Sequence, residues 1–113
     1  MKYVLMFIET EQYRKDWEAK GPAERDAAFE EVERWFAEHG SKITHSTKLH
    51  SASSATTVRL EGGGQSIVVD GPFVEGKEVV SGYLEAELDD LDEALRMAKS
   101  WPACPVVEIR PAS

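Results

Sequence analysis

The stretch KYVLMFI (Lys2–Ile8) decides the fold, because it is apolar on both of its alternating faces. Side chains of a strand point to opposite faces with a period of two. The odd positions from Tyr3 to Phe7 are all apolar, and so are the even positions from Val4 to Ile8. A strand with this pattern is covered on both sides. The sequence therefore predicts a sheet that has helices on one face and a second cover on the other.

Two amphipathic helices are predicted further along the chain. The first begins at Pro22, carries an apolar stripe that includes Trp35, and ends at Gly40, which we expect to adopt a left-handed conformation. The second is capped by Asp90, with Glu93 completing a capping box. Its predicted buried stripe consists of Leu91, Ala94, Leu95, Ala98 and Trp101. Residues 9–21 are polar and are predicted to be irregular.

Further strands are predicted over residues 43–50, 57–60, 66–70, 79–88 and 106–110. Gly62–Gly64 marks the turn of a hairpin between two of them. Without that hairpin the order is βαββαβ, so the expected fold is α+β and ferredoxin-like with an inserted β-hairpin. Such a fold places both helices on one face of an antiparallel sheet. A second copy of the chain would cover the other face, and the sequence thus predicts a homodimer.

Composition limits the classes of function. The 113 residues suit one domain, 1–113, and the formal net charge of −8 disfavours direct binding to nucleic acid or to an anionic membrane surface. Cys104 is the only cysteine, which excludes an intramolecular disulfide and fits a reducing compartment. No apolar run has the length of a transmembrane helix, and Met1–Ile8 lacks a signal-peptide cleavage site. A cytoplasmic protein is expected.

Five segments carry a resemblance to a known family: Ala55–Arg59, Asp70–Phe73, Lys77–Tyr83, Asp90–Leu95 and Val107–Pro111. Within the third, Lys77-Glu78 and Gly82-Tyr83 carry the similarity, and the second reads Asp-Gly-Pro-Phe. Together they resemble the DGPF-domain branch of the YCII-related family, in the right order along essentially the whole chain. The resemblance implies a dimeric α+β barrel, in which two ferredoxin-like sheets face each other. It also implies a functional link to an extracytoplasmic-function sigma factor.

Asp70 and His50 are the candidate catalytic residues. Asp70 ends a strand beside a rigid Gly-Pro turn, where its carboxylate would orient a histidine or act as a base, and His50 ends an earlier strand. The alternative is that Asp70 accepts backbone N–H groups within its own turn and that His50 is exposed. A wider YCII-like relative is a dechlorinating enzyme with a His–Asp pair, but its histidine lies near the first strand and helix, where this chain has none.

Four residues are candidates for ligand binding. Arg59, on the hairpin, would bind a carboxylate or phosphate if it pointed inward, and would pair with an acidic neighbour if it pointed outward. Tyr83 is opposite in parity to Leu84 and would offer a hydroxyl. Glu9 lies where the family resemblance implies a pocket, and Phe73 belongs to the Asp70 turn. Metal-ligand spacings and phosphate-binding fingerprints are absent, so neither a metal nor a cofactor is expected.

Two functions remain open from the sequence. One is a binding or regulatory protein for a small molecule, linked to a sigma-factor system. The other is a small enzyme that uses Asp70 and His50 as an acid–base pair in hydrolase-, lyase- or dehalogenase-type chemistry. The incomplete catalytic constellation favours the first.

Overall fold

A computed structural model describes residues 1–72 and 76–113 of the chain. The strands of this part are β1 (Lys2–Thr10), β2 (Ile43–Lys48), β3 (Thr56–Leu60), β4 (Ser66–Asp70), β5 (Glu78–Glu87) and β6 (Val106–Ala112). The helices are α1 (Glu11–Ala19), α2 (Pro22–His39) and α3 (Leu91–Lys99). Single 3₁₀ turns follow β2 and join β3 to β4, at Ala52–Ser54 and Gly62–Gly64.

Four strands form one antiparallel sheet in the order β2-β5-β1-β6, with β1 and β5 at its centre. The hairpin β3–β4 forms a separate two-stranded sheet. Without the hairpin and the short α1, the element order is βαββαβ, which is the ferredoxin-like arrangement. The predicted α+β fold class and the inserted hairpin are confirmed.

The core lies between the sheet and the helices. The odd positions of β1 from Tyr3 to Phe7 are buried there with Leu84 of β5. Each helix contributes to the same cluster, α1 through Tyr13, α2 through Trp35 and α3 through Ala94. All three helices therefore cover one face of the sheet.

Aromatic rings fill the centre of this core. Phe7 stacks on Trp101 with ring centroids 4.1 Å apart, and Trp35 stands at 83° to Trp101 with centroids 4.9 Å apart. The indole N–H of Trp35 donates a hydrogen bond of 2.9 Å to Ser100 Oγ, so its one polar group is satisfied. Ring packing and a paired donor hold these side chains in the core.

The other face of the sheet carries Val4, Met6 and Ile8, and we call it the open face. These three side chains are only partly buried, in contrast to the odd positions of β1. Among the described residues, no helix packs on this side. The predicted second apolar face of β1 is thus present, and within residues 1–72 and 76–113 it lacks a cover.

Three predictions about the helices were wrong. Residues 11–19 form a helix, because Thr10 Oγ1 accepts the N–H of Tyr13 at 3.1 Å and caps its first turn. Gly40 is right-handed at φ −56°, because the chain continues into a turn that Lys42 N closes on His39 O. Of the predicted stripe of α3, Ala94 is buried and Ala98 and Trp101 pack on the core, as expected. Leu91 and Leu95 are 50% and 37% exposed, because the helix turns Met97 toward the core in their place.

Candidate ligand-binding face

The candidates on the hairpin point in different directions. Asp70 pairs with Thr56, and Arg59 pairs with Ile67. Directly opposite residues of an antiparallel pair share a face, and successive residues alternate. Asp70 and Arg59 therefore project from opposite faces of the hairpin. The hairpin alone therefore does not bring these two candidate residues to one surface.

Main-chain atoms close the base of the hairpin. Gly71 N donates to Ala55 O at 2.6 Å, and Thr57 Oγ1 donates to Gly71 O at 2.7 Å. Gly71 has φ +107°, a region in which a side chain is strained, and this explains the glycine after Asp70. The Asp70 carboxylate takes no part in these bonds.

His50 follows β2 by two residues, and both it and Asp70 are exposed. Within residues 1–72, their side chains share neither a hydrogen bond nor an ion pair. The acid–base pair stays a prediction. Phe73 lies outside the described residues.

Glu9 lies on the helix side of the sheet, since it continues the odd positions of β1. Its main-chain oxygen accepts a bond of 3.1 Å from Arg14 Nη1. Burial raises the pKa of Tyr13 and of Cys104, and the nearby Glu9 carboxylate adds to both increases in pKa. This end of the core therefore favours the neutral forms of Tyr13 and Cys104. The sheet separates it from Tyr83, which lies on the other face.

Tyr83 lies on the open face, as its parity predicts. It pairs with Met6 on one side and with Thr47 on the other. Its ring centroid is 5.9 Å from that of His45. In the part of the chain that the structure describes, the Tyr83 hydroxyl has no hydrogen-bond partner, so it is available to a ligand.

His45 is a residue that the sequence reasoning passed over as a candidate. Its Nε2 shares a hydrogen bond of 3.0 Å with Thr47 Oγ1, and both residues are on the edge strand β2. A signal was present in the alternation of His45 and Thr47, which places both on one face of a strand. The pairing of β2 with β5 brings this face beside Tyr83. That pairing depends on the tertiary fold and cannot be predicted from the pattern of one strand.

Charged residues surround the apolar centre of the open face, and several are paired. Lys2 Nζ lies 3.9 Å from Glu85 Oε1, and Arg110 Nε donates to Glu108 Oε2 at 2.7 Å. The face thus combines a partly buried apolar centre, one histidine, one free phenol and a rim of largely neutralised charge. Such a surface suits a small molecule with an apolar body and a polar group. Over residues 1–72 and 76–113, no group of three or more His, Cys, Asp or Glu side chains is arranged to hold a metal ion.

Two surface grooves lie on the helix side and contain none of the candidate residues predicted from the sequence. One, of about 450 Å³, lies between the end of α2 and the start of α3 and includes Lys42 and Glu93. The N–H of Asp89 and then the Lys42 ammonium, 2.9 Å away, hold the pKa of Glu93 below its usual value. The other, of about 430 Å³, lies between α3 and β6 and is lined in part by Trp101 and Cys104.

The antiparallel sheet with its helices on one face defines an α+β protein of ferredoxin-like topology. Comparison with known protein families matches residues 1–111 to the YCII-related domain. The chain belongs to the YCII-related family, as the sequence predicted. An uncharacterized protein of Rhizobium meliloti (strain 1021) is 30% identical over 115 residues, covering 98% of this chain and 91% of the relative. Among the described helices, none has the length and apolar character needed to cross a membrane.

Proposed function

We propose that the protein binds a small organic molecule on the open face of its sheet, as a homodimer in which two open faces meet. The observation that carries the proposal is the free Tyr83 hydroxyl beside a partly buried apolar centre, with the His45 ring 5.9 Å from the Tyr83 ring. Ligand pockets are typically apolar with a few polar groups that fix orientation, and this face has that composition.

The homodimer supplies the cover that the open face lacks. Val4, Met6 and Ile8 are apolar and only partly buried, and Val80 on the same face is 44% exposed. Removal of this apolar surface from water would favour assembly. Sedimentation at micromolar concentration tests this part, and a monomer at that concentration would contradict it.

The chemistry of the face defines the class of ligand. An aromatic or otherwise flat apolar body would pack on the side chains of β1, while an acceptor atom of the ligand would accept a hydrogen bond from the Tyr83 hydroxyl. His45 can donate or accept according to its tautomer. Small phenols and aromatic acids have both features and are suitable probes.

Protein-observed NMR with a panel of phenols and aromatic acids tests the binding proposal. We expect shifts in the amides of β1, β2 and β5, and about fivefold weaker binding in Tyr83→Phe, which corresponds to one lost hydrogen bond of about 1 kcal/mol. Tyr13→Phe, which removes a hydroxyl on the helix side, is the matched control. Shifts confined to the groove between α3 and β6, unchanged in Tyr83→Phe, would contradict the proposal.

The regulatory part of the proposal rests on the resemblance of the Asp70–Phe73 turn to the DGPF branch. A ligand-binding dimer would suit a sensor linked to an extracytoplasmic-function sigma factor. With a net charge of −8, such a link would run through protein contact or gene arrangement and not through DNA. A salt-sensitive shift of duplex DNA by the pure protein would count against this view.

A further inference from the structure

The hairpin β3–β4 (Thr56–Asp70), which we call the arm, exposes apolar side chains and has little packing of its own. In the described part of the chain, its two strands pack extensively only on each other. Five of its side chains are between 48% and 86% exposed: Val58, Leu60, Ile67, Val68 and Val69. An isolated two-stranded hairpin is marginally stable in water, so the arm needs a cover.

Each face of the arm carries both apolar and polar side chains, but the two faces differ in how exposed their apolar side chains are. The register pairs Val58 with Val68 and Leu60 with Ser66, which places Val58, Leu60 and Val68 together. The alternate face carries Thr57 and Arg59 beside Ile67 and Val69. The first face also carries the polar residues Thr56, Ser66 and Asp70. Its three apolar side chains are 53–86% exposed, against 48–49% for Ile67 and Val69, so burial of this face removes more exposed apolar surface.

The chain is extended for its length, which agrees with the few contacts between the arm and the rest of the chain. The Cα radius of gyration is 16.4 Å, whereas a compact domain of this length has roughly 13 Å. The principal extents are 49 × 40 × 18 Å, so the molecule is thin in one direction. A thin body with a projecting arm leaves room for another molecule to occupy the space beside the sheet.

We propose that the arm of each subunit packs its Val58–Leu60–Val68 face against a second copy of this chain. The inference rests on the homodimer of the proposed function and adds a second contact to it. The roots of the arm support this occupant, because the chain enters it from β2 and leaves it into β5, two neighbouring strands of the open face. The arm is therefore continuous with the surface on which the second copy would lie.

The area of the open face also favours a second copy with exchanged arms. The four strands, which average eight residues, give a flat area of roughly 500 Å², whereas a stable interface buries about 800 Å² on each partner. One face of the arm adds roughly 150 Å². In a two-fold dimer each subunit buries one face of its own arm and also the surface on which its partner's arm packs. The area of the arm therefore counts twice on each subunit. Arm exchange brings the interface close to the size that a stable dimer needs.

The test compares dimer dissociation constants by analytical ultracentrifugation over a dilution series. We expect Leu60→Asp combined with Val68→Asp to weaken the dimer at least tenfold, since both charges would enter the interface. Leu91→Asp is the matched control, because Leu91 is a 50% exposed leucine on α3, away from the arm and the open face. It should leave the dissociation constant unchanged.

Hydrogen exchange gives an independent measurement on the unmodified chain. Protection of the amides in residues 56–70 should rise with protein concentration, in parallel with the dimer fraction. Protection that does not depend on concentration would overturn the arm proposal.

Met6→Asp separates this inference from the proposed dimer, since it places a charge at the centre of the open face. If Met6→Asp dissociates the dimer while the Leu60/Val68 variant dimerises like the unmodified chain, the arm proposal is wrong and the sheet-to-sheet dimer stands. A chain that is monomeric throughout overturns both.

Discussion

His45 and Tyr83 lie on neighbouring strands with their ring centroids 5.9 Å apart, on the face of the sheet opposite all three helices. The two rings are tilted by 42° and are not stacked. Thr47 lies directly opposite Tyr83 and holds the His45 ring through its hydroxyl. The tyrosine ring thus lies beside a histidine that its own strand holds in place, and among the described residues the tyrosine hydroxyl has no hydrogen-bond partner.

Removing the Tyr83 hydroxyl should leave stability nearly unchanged. Because this hydroxyl has no partner among the described residues, we expect Tyr83→Phe to change the free energy of unfolding by less than about 0.5 kcal/mol. Urea denaturation measures this difference. A loss well above 1 kcal/mol would indicate that the hydroxyl is already bonded within the folded chain.

Asp70→Asn separates the two roles proposed for Asp70. Since Gly71 and Thr57 close the base of the hairpin, we expect Asp70→Asn to change the free energy of unfolding by less than about 0.5 kcal/mol. Thr57→Val, which removes the hydroxyl bonded to Gly71 O, should cost about 1 kcal/mol.

If Asp70 and His50 form an acid–base pair, Asp70→Asn and His50→Gln should each abolish turnover while the chain stays folded. A stability loss in Asp70→Asn with turnover intact would assign Asp70 to the turn.

Gly82→Ala should destabilise the sheet. A Cβ atom at Gly82 would lie 2.8 Å from the main-chain oxygen of Thr47, so strand β2 would have to move. Overpacking of this kind typically costs about 1–3 kcal/mol, and we expect a loss in that range by thermal or urea unfolding. Gly62→Ala is the matched control, since nothing lies within 4 Å of a Cβ there. Equal stability of the two variants would contradict the close approach of β2.

Glu93 should make stability depend on acidic pH. Its folded pKa is lowered below 4.5, first by the N–H of Asp89 and then by Lys42. The contribution of Glu93 to the free energy of unfolding is therefore complete above the pKa that it has in the unfolded chain. That contribution is lost as the pH falls through the pKa that Glu93 has in the folded chain. Urea unfolding over a pH series should show Glu93→Gln less stable than the unmodified chain at neutral pH, with the difference shrinking below pH 4.5. A difference that persisted at low pH would rule out this origin, and Glu30→Gln on α2 is the matched control.

Cys104 should react slowly with thiol reagents. It is 5% exposed, and burial raises its pKa above 9.0, so both access and the thiolate fraction are reduced. We expect modification by a chromogenic disulfide reagent at pH 8 to be at least about tenfold slower in the folded chain than in urea. Similar rates in the two states would show that this end of the core opens readily.

The sequence predicted the fold well where the signal is local. The two-sided pattern of Lys2–Ile8, the hairpin turn at Gly62–Gly64 and the Asp90 cap all have short-range physical causes. Helix α1 was missed because Glu11–Ala19 is largely polar and contributes little to the core. Its one clear signal was Thr10 as an N-cap, which was not used.

The candidate site was harder to predict because register decides it. Asp70 and Arg59 lie on opposite faces because Asp70 pairs with Thr56 and Arg59 pairs with Ile67. A shift of one residue in the register of the hairpin would place them on the same face. Tyr83 could be assigned to a face because Leu84 beside it is clearly a core residue. His45 had no such neighbour, and its position beside Tyr83 follows only from the pairing of β2 with β5.

The crossed pair of Trp35 and Trp101 has an optical consequence. Two indoles 4.9 Å apart at 83° have transition dipoles that couple, and the coupling is sensitive to small changes in angle. Trp17 lies apart from them, against Phe29 and Arg25. The Trp35–Trp101 pair is therefore an intrinsic circular-dichroism reporter at the centre of the core, and Trp17 is a separate fluorophore near the surface. Together they allow loosening of the helices on the sheet to be followed without a label.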